Sequence, residues 1–213
     1  IMEYTAIQPD IDQFNQSIST FVGSGGKGAN VTAPFKEQAY ALATRLTERA
    51  QLAEAVNTLV FNVDGSILGD NTDGAGLIAD LIANKAGLNK RVLLIGAGGA
   101  ARGVIKPLLE QSPEKLIITN RTHEKAVKLA EHFKTYGNIE AVSAEGLEAE
   151  ESFDVVINSS SSSLFGELPA IPSRVFKEGG FAYDMSYKAE NTVFINWALE
   201  SGAKSAIDGL GML

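Results

Sequence analysis

Cysteine is absent from the 213-residue sequence. That excludes thiol nucleophiles, iron–sulfur clusters and zinc–thiolate sites. It is compatible with a reducing compartment without proving one. No run of about 18 apolar residues occurs, so no transmembrane helix is expected. Histidine is scarce: His123 and His132 share one amphipathic segment, with no other ligand type clustered beside them. They read as surface helix residues, and no metal is called for. Basic charge is the minority, 18 Lys and Arg against 26 Asp and Glu, for a net charge of −8. The deficit is even, with 4 basic and 8 acidic residues before Asp73 and 14 and 18 from it onward. A nucleic-acid binder needs a basic face, and none is visible. A few local cations can still hold a small anion.

What is present is an ordinary globular mix, 45% hydrophobic and 21% charged. Residues 2–7 read as a strand, and Ile11, Phe14, Ile18 and Val22 as the buried stripe of a helix over 10–22. A short strand at Ala29–Thr32 precedes a helix with Pro34 at its first position, running over 34–46. VNTLVFNV (56–63) reads as a strand, with Asp64-Gly65 as a hairpin turn. After Asp73 the pattern becomes regular: helix 74–87, strand 91–96, helix 99–110, strand 115–119 and helix 123–133. A weak strand at 139–143, strands 153–158 and 180–185 and a helix at 192–201 complete it. RVLLIG is a continuous apolar run, as in a strand buried on both faces. Such alternation predicts a parallel sheet with helices on both faces, behind a smaller α/β unit.

The strongest motif follows that buried strand. Gly96-Ala97-Gly98-Gly99-Ala100-Ala101 is G-x-G-x-x-A between a strand and a helix. Gly96 allows the tight turn, Gly98 lets backbone approach a pyrophosphate, and Ala101 permits close helix–strand packing. The helix N-terminus offers free N–H groups to phosphates. The next strand runs into Asn120-Arg121-Thr122, with Lys125 one turn on, and no carboxylate at its tip. An NAD site carries an acid there for the ribose 2′-OH, whereas Arg121 and Lys125 suit a 2′-phosphate, with Thr122 donating a hydroxyl. The plainer alternative is a solvated Arg and Lys, with Thr122 as an N-cap.

Three further segments carry polar residues at strand ends and helix starts. Lys36 sits in the first turn of a helix, where acids are favoured, so it is either a candidate proton donor or an ordinary surface lysine. Asn57-Thr58 is the second. In the third, Gly69–Gly74, Asp73 is either an N-cap or half of a proton-transfer pair with Lys36. The Ser159–Ser163 run has no G-x-S-x-G frame, which argues against a serine nucleophile.

Seven ordered motifs together resemble the shikimate/quinate dehydrogenase family: GANVTAPFK (28–36), EAVNTL (54–59), GDNTDG (69–74), GAGGAARGV (96–104), NRT (120–122), YDMSY (183–187) and DGLGML (208–213). The resemblance implies a substrate-binding α/β domain, residues 1–73, and an NADP-binding Rossmann domain, residues 74–213, with a cleft between them. It implies reversible NADPH-dependent reduction of 3-dehydroshikimate to shikimate, in the cytoplasm, by a monomer or homodimer acting on a small molecule. Lys36 and Asp73 match the family's catalytic pair, and Thr32, Asn57, Asp73 and Tyr187 its substrate contacts. Gly96, Ala97, Gly98, Gly99, Ala100 and Ala101 match the diphosphate loop. Asn120, Arg121, Thr122 and Lys125 match the adenosine-phosphate clamp, and Met185 and Gly209 flank the nicotinamide.

Departures accompany the match. The family's N-A-T-x-x-G after the fourth strand of its cofactor domain is Asn158–Ser163 here, with Ser163 in place of glycine. The chain opens at Ile1 without the family's Ser-x-Ser loop and stops at Leu213 before its closing helices, so further residues are expected at both ends. Three other classes fit the same residues less well. A dual-specificity quinate/shikimate enzyme would favour an acid near residue 120. A methylenetetrahydrofolate dehydrogenase fits GANVTAPFK and GDNTDG poorly. A non-catalytic NADP-binding module would not need Lys36 and Asp73.

Overall fold

The computed structural model describes residues 3–212; Met2 and Leu213, which belong to two of the motifs and segments above, lie outside the described residues. The chain divides into two compact units, Ile1–Asn71 and Thr72–Leu213. The division falls within GDNTDG, so Asp73 opens a helix of the second unit.

The first unit is built on four strands, β1 (Gly28–Asn30), β2 (Arg45–Leu46), β3 (Thr58–Phe61) and β4 (Ile67–Asp70), in the order β1-β3-β4-β2. β3 and β4 form the hairpin read from Asp64-Gly65, in register from Thr58–Asp70 to Phe61–Ile67. Helices α1 (Phe14–Gly23), α2 (Lys36–Leu42) and α3 (Glu48–Ala53) accompany the sheet. Phe14, Val31, Ala39, Val56 and Leu59 form the core, and Phe14 stacks on Phe35 at 5.2 Å between ring centroids.

Three expectations fail in this unit. Residues 3–7 form no strand: the alternating pattern is there, but a strand needs a ladder partner, and Tyr4 reaches β1 only through its hydroxyl on Asn30 Oδ1. The stripe on α1 is rotated, because Ile11 and Val22 are exposed while Phe14 is buried and Ile18 and Phe21 pack on the core. The helix expected over 34–46 is shorter at both ends. Pro34 lies in a turn ahead of α2, after a cis peptide bond with Ala33. At the other end Ala43 turns extended, and Arg45–Leu46 pair with β4 as a parallel edge strand. A two-residue ladder with a partner more than twenty residues away leaves no local signal.

The second unit carries a six-stranded sheet: β5 (Arg91–Ile95), β6 (Lys115–Thr119), β7 (Ile139–Ala141), β8 (Phe153–Asn158), β9 (Phe176–Asp184) and β10 (Ser205–Asp208). Every neighbouring pair is parallel, in the order β10-β9-β8-β5-β6-β7. Counted within the unit, that is the doubly wound order 3-2-1-4-5-6 of a dinucleotide-binding fold. Helices α4 (Asp73–Ala83), α5 (Gly99–Glu110), α6 (His123–Phe133) and α7 (Val193–Glu200) complete it. All five residues of β5 are buried, as its apolar run predicts. β10 was not read from the sequence, and β9 begins four residues earlier than expected. The order of strands reverses between β5 and β8, the switch point where folds of this kind have their binding crevice, beyond the carboxyl ends of the strands.

Candidate active site

In the second unit, the residues singled out for a cofactor lie along the carboxyl edge of the sheet. Gly96 leaves β5 with φ +115°, a conformation L side chains rarely adopt, and its N–H donates to the Thr119 carbonyl on β6 at 2.8 Å. A Cβ at Gly96 would meet Ser159 Oγ, on the loop after β8, at 2.7 Å. The two loops flanking the crevice therefore touch at a position only glycine fills.

Gly98 caps α5 without any side-chain hydrogen bond, and a Cβ there would point into open space. Ala97, Gly99, Ala100 and Ala101 complete the turn, with Ala101 fully buried against the sheet. A helix start with no side-chain cap and open space beside Gly98 suits a diphosphate.

At the tip of β6, Asn120 donates to the Thr122 carbonyl at 2.9 Å and shapes the turn. Thr122 occupies the N-cap position of α6, yet its side chain makes no capping bond, so the N-cap explanation for it fails. Arg121 and Lys125 are exposed, and neither makes an ion pair among the described residues. Thr119 Oγ1 is buried without a hydrogen-bond partner among the described residues. Two exposed cations, with no carboxylate at the end of β6 itself, fit the 2′-phosphate of NADP. His123 departs from the surface reading: it is half-buried, and its Nδ1 is shielded from solvent with no hydrogen-bond partner among the described residues. His132 is exposed.

At the other end of the sheet, Met185 N–H donates to the Asn158 carbonyl at 2.9 Å, joining the tips of β8 and β9. Gly209 N–H donates to the Ser186 carbonyl at 3.3 Å, joining β10 to the same corner. Tyr187 follows on this turn and is exposed. Helix α4 packs against α5 and the turn at Gly209–Met212, and the Tyr183 hydroxyl donates to Asp80 Oδ2 at 2.7 Å. Burial, then the Asp80 carboxylate, push the Tyr183 phenol upward, so it stays protonated and donating. Asp73 is the first residue of α4 rather than its cap; Thr72 holds the cap position. A carboxylate in the first turn still suits the helix dipole.

In the first unit, Thr32, Lys36 and Asn57 converge through backbone bonds. Val31 N–H donates to the Asn57 carbonyl at 2.7 Å, and Val56 N–H donates to the Lys36 carbonyl at 2.9 Å. Asn57 N–H donates to the Asp70 carbonyl at 3.0 Å. Lys36 is half-buried at the start of α2, while Thr32 lies in an exposed turn beyond β1. Asp70 is held by Arg49, whose Nε donates at 2.7 Å and whose Nη2 also donates, and by Thr47 Oγ1 at 2.6 Å. The Arg49 guanidinium, helped by Thr47 and the Asn71 N–H, outweighs desolvation and holds the Asp70 carboxyl down to about 2. This clamp holds the end of β4 and has no counterpart in the sequence reading.

The fold and the carboxyl edge of its sheet define a Rossmann-type NADP-binding protein with a second α/β unit. The family described as "Shikimate / quinate 5-dehydrogenase" matches residues 78–166, and the "Shikimate dehydrogenase substrate binding domain" matches residues 1–59. The shikimate dehydrogenase (NADP(+)) of Vibrio atlanticus is 52% identical over 213 residues, all of this chain and 76% of the relative. That of Vibrio cholerae is 54% identical over the same 213 residues, again 76% of its length. Among solved structures, an Ael1 enzyme from Pseudomonas putida is 43% identical with a TM-score of 0.84, over 99% of this chain and 77% of that one. A Thermus thermophilus shikimate 5-dehydrogenase in complex with NADP(H) and shikimate is 29% identical with a TM-score of 0.80, over 96% and 74%. The chain belongs to the shikimate dehydrogenase family.

Proposed function

We propose that the chain is an NADP-dependent shikimate dehydrogenase, reversibly reducing 3-dehydroshikimate to shikimate in aromatic amino acid biosynthesis. The observation that carries this is 52% identity over all 213 residues with a relative named for that substrate and cofactor. Arg121 and Lys125, exposed at the β6 tip and in no ion pair among the described residues, support the choice of NADP.

When bound, NADPH supplies the hydride. Gly96 to Ala101 would seat its diphosphate, and Asn120, Arg121, Thr122 and Lys125 its adenosine phosphate. Met185 and Gly209 would flank its nicotinamide. Lys36 places an ammonium against the carbonyl oxygen of the substrate, stabilises the charge that develops there and hands over a proton. Asp73 accepts a hydrogen bond from the neighbouring substrate hydroxyl. Thr32, Asn57 and Tyr187 orient the remaining hydroxyls. The residues assigned here need no metal, because the lysine does the polarising.

This reading carries a cytoplasmic enzyme, monomeric or homodimeric, whose partner is a small molecule and not nucleic acid. No helix among the described residues is long and apolar enough to cross a membrane. The test is NADP reduction by the full-length protein with shikimate and, separately, with quinate. Turnover of shikimate with NADP in clear excess over NAD is expected. Turnover of neither substrate would overturn the assignment, and equal use of both cofactors would move it to the quinate branch.

A further inference from the structure

The loop after β8 ends on a buried carboxylate. Asp184, at the tip of β9, is fully shielded from solvent, as are Asn158 and Ser163, and Thr192 is nearly so. Four donors converge on it. Ser163 Oγ and Thr192 Oγ1 each donate to Oδ2 at 2.6 Å, while Asn158 Nδ2 donates to Oδ1 at 3.2 Å and Ser186 N–H to Oδ1 at 3.1 Å. The proton positions follow from the other bonds. Ser163 Oγ accepts from Asn158 Nδ2 at 3.1 Å, and Thr192 Oγ1 accepts from Ile195 N–H as the cap of α7. Each hydroxyl therefore has its own proton free for Asp184. Burial pushes the Asp184 carboxyl up, and these hydrogen bonds oppose the push. Protonation would place a fifth hydrogen among four donors.

The loop is anchored at both ends. At its start, Ser159 N–H and Oγ both donate to the Ile95 carbonyl, at 2.8 and 2.7 Å. At its end, Ser163 is tied through its hydroxyl to Asp184, and its carbonyl accepts from Lys188 Nζ at 2.7 Å. Between the anchors, Ser159 and Ser160 form the wall that touches Gly96 across the crevice. The Arg121 end of the sheet takes the adenosine half of a dinucleotide, so this wall borders the other half. Ser163 has no left-handed backbone, so nothing in its conformation calls for glycine.

We infer that Ser163 is a positioning residue: by binding Asp184 it fixes the loop after β8 to the tip of β9, and so sets the geometry of the nicotinamide half of the NADP site. The inference rests on the NADP-dependent reading above. Asp184 thus joins the loop after β8, through Ser163, to the cap of α7, through Thr192.

The test compares two ligands on full-length protein carrying Ser163→Ala. NADP fills both halves of the site, whereas 2′,5′-ADP fills only the adenosine half. Loss of a hydrogen bond to a buried carboxylate is expected to weaken NADP binding and lower kcat, together by about tenfold. The affinity for 2′,5′-ADP should stay within about twofold, since no clamp residue is touched. Ser163→Gly, which restores the residue the family carries there, removes the same hydroxyl without adding bulk and repeats the measurement if the alanine variant folds poorly. Unchanged NADP affinity and kcat in a folded variant would overturn the inference. Parallel loss of NADP and 2′,5′-ADP binding would also overturn it, because the network would then hold the fold and not the nicotinamide half. Failure of the unsubstituted protein to oxidise shikimate while it binds NADP would instead strike the functional reading.

Discussion

Gly209 stands so close to Met185 that a Cβ on it would lie 2.5 Å from the Met185 carbonyl oxygen. The tips of β9 and β10 meet backbone to backbone, at the two residues that the family resemblance places beside the nicotinamide. Gly209→Ala should push these tips apart. Overpacking of this kind costs about 1–3 kcal/mol, so the melting temperature should fall and NADP affinity should fall with it. Thermal unfolding and a cofactor titration on the same sample check both.

Arg121 and Lys125 lie exposed at the β6 tip, and neither makes an ion pair among the described residues. A charge-assisted contact to a 2′-phosphate is worth about 1.5–3 kcal/mol, and about 1.4 kcal/mol already gives tenfold, so NADP should exceed NAD by at least about tenfold in kcat/KM. Replacing both residues with alanine should erase most of that preference through KM, with kcat at saturating cofactor largely kept. Added salt should weaken NADP more than NAD, since the cations face solvent.

The clamp on Asp70 predicts a particular acid response. Its carboxyl sits at about 2, below the ordinary value of 3.8, so it contributes stability above the ordinary value and loses it as pH falls toward about 2. Arg49 is half exposed, which limits the pair to about 1 kcal/mol. Arg49→Met should lower stability near neutrality by that amount, and the gap from the unsubstituted protein should close between about pH 4 and pH 2. Urea titrations at stepped pH read the gap directly.

Asp73 leads α4 but does not cap it, which separates its two candidate roles. Asp73→Asn removes only a first-turn charge from the helix, worth about 0.3–1 kcal/mol. If Asp73 has the catalytic role proposed for it, turnover falls by about tenfold or more, since the substrate hydroxyl loses its acceptor. A melting curve and kcat on one preparation distinguish a helix effect from a catalytic one.

The legible parts of this fold are those with local causes. β5 announces itself as five apolar-flanked buried positions, and α5 begins and ends where its glycine turn and its apolar period say. What stayed hidden depends on distant partners. Arg45–Leu46 look helical until β4 pairs with them, and Glu3–Ile7 alternate like a strand but have no ladder. β10 is one exposed and three half-buried residues whose register with β9 no local pattern reveals. The site divides in the same way. Gly96 to Ala101 and Arg121 carry a spacing with a physical meaning. Asp184 looks like one more acid in YDMSY, and only the fold shows it buried among four donors. The cue available in sequence was its place directly after a buried strand, eight residues before a Thr that caps a helix.

Lys36 is proposed to supply the proton that accompanies hydride transfer. The most direct measurement is kcat for shikimate oxidation and NADPH affinity in Lys36→Met, which keeps the length of the stem and removes the ammonium. The account predicts a loss of about 10²–10⁴ in kcat, the range for general acid–base catalysis, with NADPH affinity within about twofold. A Lys36→Met protein that keeps most of its kcat would contradict it.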